Sequence, residues 1–119
     1  MDFNIQPGDL VAICHSNEYS VSMFLKFLED GQRAHYKTIH HMHRWHNDAY
    51  LEALKQRMQK QLDGTLPVYV HVDYINEGAV DRIIPLDEKY VDELTKSYLN
   101  LLRKTYNIEY KNNRPVSTF

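Results

Sequence analysis

The stretch YSVSMFLKFLEDGQRAHYKTI, residues 19–39, decides the fold of this chain. Up to Glu29, successive residues alternate between two faces in the manner of a β-strand with one buried side. Asp30-Gly31 is typical of a two-residue hairpin turn, because both residues tolerate a positive φ. The stretch therefore predicts a β-hairpin with its turn at residues 30–31.

A two-residue turn would also fix the register of the hairpin. The face predicted as core pairs Phe27 with Ala34, Leu25 with Tyr36, and Met23 with Thr38. The reverse face pairs Leu28 with Arg33, Lys26 with His35, and Phe24 with Lys37. We therefore expect Phe27 and Leu25 to be buried, and Lys26, Arg33 and Lys37 to be exposed.

Turn and cap signals place the other elements on either side of this hairpin. Pro7-Gly8-Asp9 opens a first strand over residues 9–15, and residues 40–46 form a polar, histidine-rich connection. The remaining elements are a helix from Asn47 or Asp48 to Asp63-Gly64, strands over 67–75 and 79–84, and a helix from Asp87 to about Tyr106.

The order βββ–α–ββ–α predicts an α+β fold. Strands joined by hairpins form a mainly antiparallel sheet, with the helices on one face. The alternative is an SH3-like partial barrel with two added helices. With 119 residues and no long linker, we expect a single domain over 1–119 whose tail, 112–119, is frayed.

Composition excludes some classes of function. With 14 Lys+Arg against 16 Asp+Glu, the net charge of −2 argues against binding a polyanion by bulk charge. One cysteine, Cys14, cannot form an internal disulfide. The first residues lack the pattern of a secretory signal, and no apolar run approaches the roughly 20 residues that span a bilayer. We therefore expect a cytoplasmic protein with no membrane contact.

The reverse face of the hairpin is the most chemically biased surface in the sequence. Cations with an aromatic side chain among them can hold a phosphate backbone and stack a base, or bind an acidic protein. The residues of this predicted surface are Phe24, Lys26, Arg33, His35 and Lys37, extended into the histidine-rich connection by His41, Arg44 and Trp45. Their ordinary role would be a solvated sheet face, where Lys and Arg block edge pairing.

The histidines offer a weaker hypothesis of a metal site. His43 and His46 have a ligand spacing if that stretch is helical, and His15 or Asp48 could add to them. The sequence contains no cysteine pair and no His-Glu-x-x-His helix. We therefore expect no metal and no other cofactor.

A catalytic alternative lies in the predicted fourth strand. His71 and Asp73 share a strand face beside Tyr69, and Arg82 of the next strand could stabilise an anion. No nucleophile accompanies them. Cys14 and His15 would point to opposite faces of their strand, and we expect Cys14 to be buried.

These observations favour a non-enzymatic binding or accessory protein, an inhibitor, adaptor or assembly factor of a kind that viruses and mobile elements also encode. It would bind a protein or a nucleic acid through the hairpin and histidine-rich loop, residues 20–46. The alternative is a small phosphodiester hydrolase that uses His71 and Asp73 or the histidines of residues 35–46. The sequence leaves the oligomeric state open, with a homodimer among the alternatives.

Overall fold

The computed structural model describes residues 5–14, 18–28, 34–43, 48–70, 73–75 and 83–110, with the backbone alone at 18, 41–43 and 73–75. The elements are β1 (Leu10–Cys14), β2 (Glu18–Phe27), β3 (Ala34–His43), α1 (Asp48–Leu62), β4 (Asp73–Ile75), β5 (Ile83–Pro85), a 3-10 turn (Glu88–Tyr90) and α2 (Glu93–Thr105). The predicted order βββ–α–ββ–α and the α+β class are confirmed.

The described strands form an open antiparallel sheet in the order β4-β3-β2-β1-β5. The long β2–β3 hairpin supplies its centre, and β1 pairs with β2 on one side and with β5 on the other. β4 pairs with β3 through only three residues, Ala34 to Tyr36. The two short strands β4 and β5 are therefore the edges of the sheet.

Both helices pack on one face of this sheet, which we call the helix face, as the sequence predicts. Strand residues that face the helices alternate with residues on the other face, as the period of two requires. The buried cluster on the helix face contains Leu10, Val21, Met23 and Ile39 from the strands, Leu54 and Met58 from α1, and Tyr98, Leu99 and Leu102 from α2.

The opposite face of the sheet is also buried, and we call it the second face. Its cluster contains Val11, Ile13, Phe24, Ala34, Tyr36 and Ile83, with Ile5 and Phe27 packed against it. Ser20 and Ser22 lie beside Ile13 and Val11 on this face, since antiparallel partners share a face. Both serines are fully buried, and the hydroxyl of Ser22 donates to that of Ser20 at 3.3 Å.

Two irregularities in the β2–β3 ladder correct the predicted register. Lys26 pairs with His35 and Phe27 with Ala34, as predicted. A register shift between Phe24 and Lys26 then pairs Phe24 with Tyr36 and Met23 with Lys37. The predicted pairs Leu25–Tyr36, Met23–Thr38 and Phe24–Lys37 are therefore wrong, because a β-bulge inserts Leu25 as an extra residue on β2.

The second irregularity lies between Val21 and Ser22, where Ile39 is the extra residue on β3. The strand continues through it to His43, paired with Glu18. The prediction of a polar connection is therefore wrong for residues 40–43, which continue a strand instead. The rest of the predicted connection, residues 44–46, and the partner that we predicted for Leu28, Arg33, lie outside the described residues.

The strands after α1 are shorter than the sequence predicts. Residues 67–70 belong to no strand, and only Asp73–Ile75 pair with β3. The fifth strand covers Ile83–Pro85 rather than 79–84, although residues 79–82 are outside the description. Alternation of apolar residues over 67–75 indicates a capacity for strand structure, but a strand also needs a neighbour with free hydrogen-bonding groups.

The helices begin and end at the predicted kinds of residue. α1 starts at Asp48, and Gly64 follows its end with a φ of 85°. Asp87 caps the 3-10 turn, and α2 begins only after a second cap, Asp92, which accepts from the Thr95 amide at 2.7 Å. The predicted start of the second helix at Asp87 is therefore wrong. A separate 3-10 turn follows Asp87, and α2 begins at Glu93.

Gly8 lets the chain end pack closely against the first turn. Its φ is 95°, and a Cβ added there would lie 2.9 Å from Cδ2 of Tyr110. Gly64 has a similar φ, 85°, but no atom of the described residues lies within 4 Å of the corresponding position. The two glycines therefore separate the cost of the backbone conformation from the cost of crowding.

We predict that Gly64→Ala lowers the free energy of unfolding by about 1–2 kcal/mol, the cost of a left-handed residue with a side chain. Gly8→Ala should lose about 1–3 kcal/mol more, because its Cβ also displaces the Tyr110 ring. Urea unfolding of both variants measures the difference. Equal losses would show that the ring of Tyr110 does not constrain Gly8.

Candidate functional site

Phe24 does not belong to the predicted binding surface. Its side chain is 1% exposed and lies in the cluster of the second face, where its ring centroid is 4.8 Å from that of Phe27. The prediction that Phe24 stands among the hairpin cations is wrong. The bulge at Leu25 is the reason, since one extra residue reverses the face on which all later residues lie.

The hairpin cations lie on the helix face instead. Lys37 pairs with Met23, and Lys26 pairs with His35, the neighbour of Lys37 two residues along β3. Lys26 is exposed, as predicted, whereas His35 and Lys37 are half-buried, so the predicted exposure of Lys37 is wrong. Leu25 and Phe27 are also half-buried rather than buried. The structure thus keeps a small group of cations but removes the aromatic residue from it.

The other residues of the predicted surface cannot be placed beside this group. Arg33, Arg44 and Trp45 lie outside the described residues, and only the backbone of His41 is described, in β3 opposite Ser20. Their role in binding stays a prediction.

The metal hypothesis also falls largely outside the described residues. His43 is the last residue of β3, and neither His46 nor His15 is described. Within the ranges given above, no three His, Cys, Asp or Glu side chains are placed to share a metal ion. The strand conformation at His43 differs from the helix that the spacing of His43 and His46 assumed.

The predicted catalytic residues are not brought together by the described structure. His71 and Arg82 are not described, and Asp73 is described only as the first backbone position of β4. Tyr69, expected beside them on a strand, lies before β4 in an exposed segment. Cys14 is half-buried, not buried, and the position of its neighbour His15 is not described.

A cluster of charged and polar groups around the buried Arg103, which the sequence did not predict, joins the two ends of the described chain. Arg103 of α2 donates from Nε and Nη2 to the carbonyl oxygen of Gly8, at 3.1 and 2.9 Å. Nη2 also donates to Oε2 of Glu88 at 3.0 Å, and Nη1 donates to Oδ1 of Asn100 at 3.0 Å. We call this group, with the residues described next, the Arg103 cluster.

Tyr110 completes the Arg103 cluster from the other side. Its ring lies 3.7 Å from Cζ of Arg103, and its hydroxyl donates to Oδ1 of Asp9 at 2.7 Å. Oδ2 of Asp9 accepts from the amide of Gln6 at 2.8 Å. Burial, and then the hydrogen bond and negative charge of Asp9, raise the pKa of Tyr110 far above its ordinary value.

Side chains of this kind also occur together in active sites, but the hydrogen bonds of this cluster join distant parts of the fold to one another. Each nitrogen of the Arg103 guanidinium donates to an acceptor of the protein itself, and the ring of Tyr110 stacks on its plane. A buried cation in this state balances the carboxylates beside it rather than attracting a ligand. Only the turn signal at Pro7-Gly8-Asp9 could have pointed to the cluster, because its other members are scattered over the last third of the chain.

Residues 66–70, Leu-Pro-Val-Tyr-Val, form an exposed apolar segment between α1 and β4, which we call the 66–70 segment. The exposed fractions are 37% at Leu66, 74% at Tyr69 and 66% at Val70. Val68 alone turns inward and packs against the cluster on the helix face. Sequence reasoning missed this segment because its alternation predicted a half-buried strand.

Hydrogen bonds hold the start of the 66–70 segment against α1. The Leu66 amide donates to the carbonyl oxygen of Lys60 at 3.1 Å. Nε2 of Gln61 donates to the carbonyl oxygen of Pro67 at 3.2 Å, while its Oε1 accepts from the buried Tyr98 at 2.7 Å. The exposed apolar side chains therefore stand on a backbone that is anchored to the core.

The raised pKa of Tyr110 predicts a dependence of stability on alkaline pH. The unfolded state loses this proton near pH 10, whereas the folded state keeps it to higher pH, so its contribution is complete below pH 10 and is lost above it. The free energy of unfolding should fall more steeply above about pH 10 in the wild type than in Tyr110→Phe. Urea unfolding at a series of pH values measures the two slopes.

Tyr90→Phe serves as the matched control, because Tyr90 is 79% exposed and outside the Arg103 cluster. It should keep the wild-type slope. Identical slopes for the wild type and Tyr110→Phe would contradict the assignment of the buried tyrosine proton to Tyr110.

Three comparisons with known proteins add no relative: no protein-family model, curated protein or solved structure matches this chain. Among the described helices, none is long and apolar enough to cross a membrane.

Proposed function

We propose that this chain is a non-enzymatic binding protein that docks a protein partner at the 66–70 segment. The observation that carries the proposal is the exposure of Tyr69 and Val70 on a backbone anchored to α1. Apolar side chains next to one another and largely in solvent are a feature of interaction sites. Tyrosine in particular supplies contact area at interfaces, with a polar end that tolerates water before the partner binds.

Anchoring makes this exposure useful for binding. A segment that is already ordered loses little conformational entropy when a partner covers it. The bonds from Leu66 to Lys60 and from Gln61 to Pro67 hold the start of the segment, and Val68, packed against the helix-face cluster, holds the residue before Tyr69. A rigid apolar projection of this kind resembles the anchor residues that contribute most of the binding free energy in protein interfaces.

The use of the titratable residues supports binding over catalysis. Glu88 and Arg103 bond to each other, and Tyr110 and Asp9 do the same. These groups stabilise the fold. The hypothesis of a hydrolase uses His71 and Asp73, with Arg82, or the histidines of residues 35–46, and His71 and Arg82 lie beyond the described ranges. It stays an alternative prediction of the sequence.

Site-specific photo-crosslinking tests the proposed function. A benzoylphenylalanine in place of Tyr69 should form covalent adducts when the purified chain is irradiated in an extract of the cells that make it. The same photoreactive residue in place of Tyr90, which is equally exposed, is the control for non-specific reaction. Adducts should form at position 69 and be absent or much weaker at position 90.

The mass of the adduct separates the outcomes. An adduct of about twice 14.2 kDa contains two copies of the chain, and any other mass identifies a different protein. No adduct at position 69, or equal adducts at positions 69 and 90, would remove the 66–70 segment as a docking site.

A second candidate function follows from the cations on the helix face. Lys26 and His35 are direct cross-strand partners, and Lys37 lies on the same face two residues along β3. An acidic protein or a nucleic acid would complement them, as the sequence predicted. With Phe24 buried, base stacking no longer supports a preference for single strands, so only the electrostatic part of the earlier hypothesis remains.

We predict that any nucleic-acid binding at this group depends on salt, with Lys26 contributing one phosphate contact. Lys26→Ala should flatten the slope of log affinity against log salt by about one unit, as expected when one phosphate contact is lost. Fluorescence anisotropy with a labelled DNA strand measures this slope. Phe24→Ala should instead cost about 3–5 kcal/mol of stability, because it leaves a cavity in the second face.

An unchanged slope in Lys26→Ala, or no binding at all at low salt, would exclude nucleic acid from this surface. Glu52→Ala is a suitable control variant, because Glu52 is an exposed residue of α1 outside the hairpin.

A further inference from the structure

We draw no further inference here: the strongest candidate, the cross-strand pair of Lys26 and His35 on the helix face of the β2–β3 hairpin, belongs to the group of cations already described, and nothing in the described residues narrows its partner beyond an acidic protein or a nucleic acid.

Discussion

One extra residue in β2 decides which side chains at the tip of the central hairpin face the helices and which face the second cluster. Strand side chains alternate strictly, so the bulge at Leu25 changes the face of everything beyond it. Phe24 enters the second face, while Leu25 and Lys26 both lie on the helix face. β3 contains a second bulge of this kind at Ile39. The two irregularities set which hairpin residues enter each of the two apolar clusters.

The Arg103 cluster joins the parts of the chain that the sheet leaves separate. Residue 8 precedes β1, residue 88 follows β5, and residues 103 and 110 belong to α2 and the segment after it. Arg103 bonds to the first two, and its guanidinium stacks with the ring of Tyr110. Removing one member would leave a buried charge or carbonyl without its partner, which is costly in a protein interior. Arginine, glutamate and tyrosine side chains are common in active sites, but Arg103, Glu88 and Tyr110 stabilise the fold through these contacts.

The surfaces proposed for binding consist of residues that the two apolar clusters leave exposed. The 66–70 segment is held by α1 yet exposes its apolar side chains, and Lys26 projects from the hairpin without entering either cluster. The two surfaces differ in chemistry, since one is uncharged and the other cationic.

The sequence by itself determined the order of the elements, the α+β class, α1 with its capping signals, and the position of the helices on one face. These depend on local patterns: periods of 2 and 3.6, caps and turns, all written in neighbouring residues. The structure alone decided the bulge at Leu25, the burial of Phe24, the short β4 and the Arg103 cluster. Each of these depends on contacts between residues far apart in the chain, such as Gly8 with Arg103 or Val68 with the helix-face cluster. Periodicity describes which residues could share a face, but pairing and packing with distant partners determine which of them do.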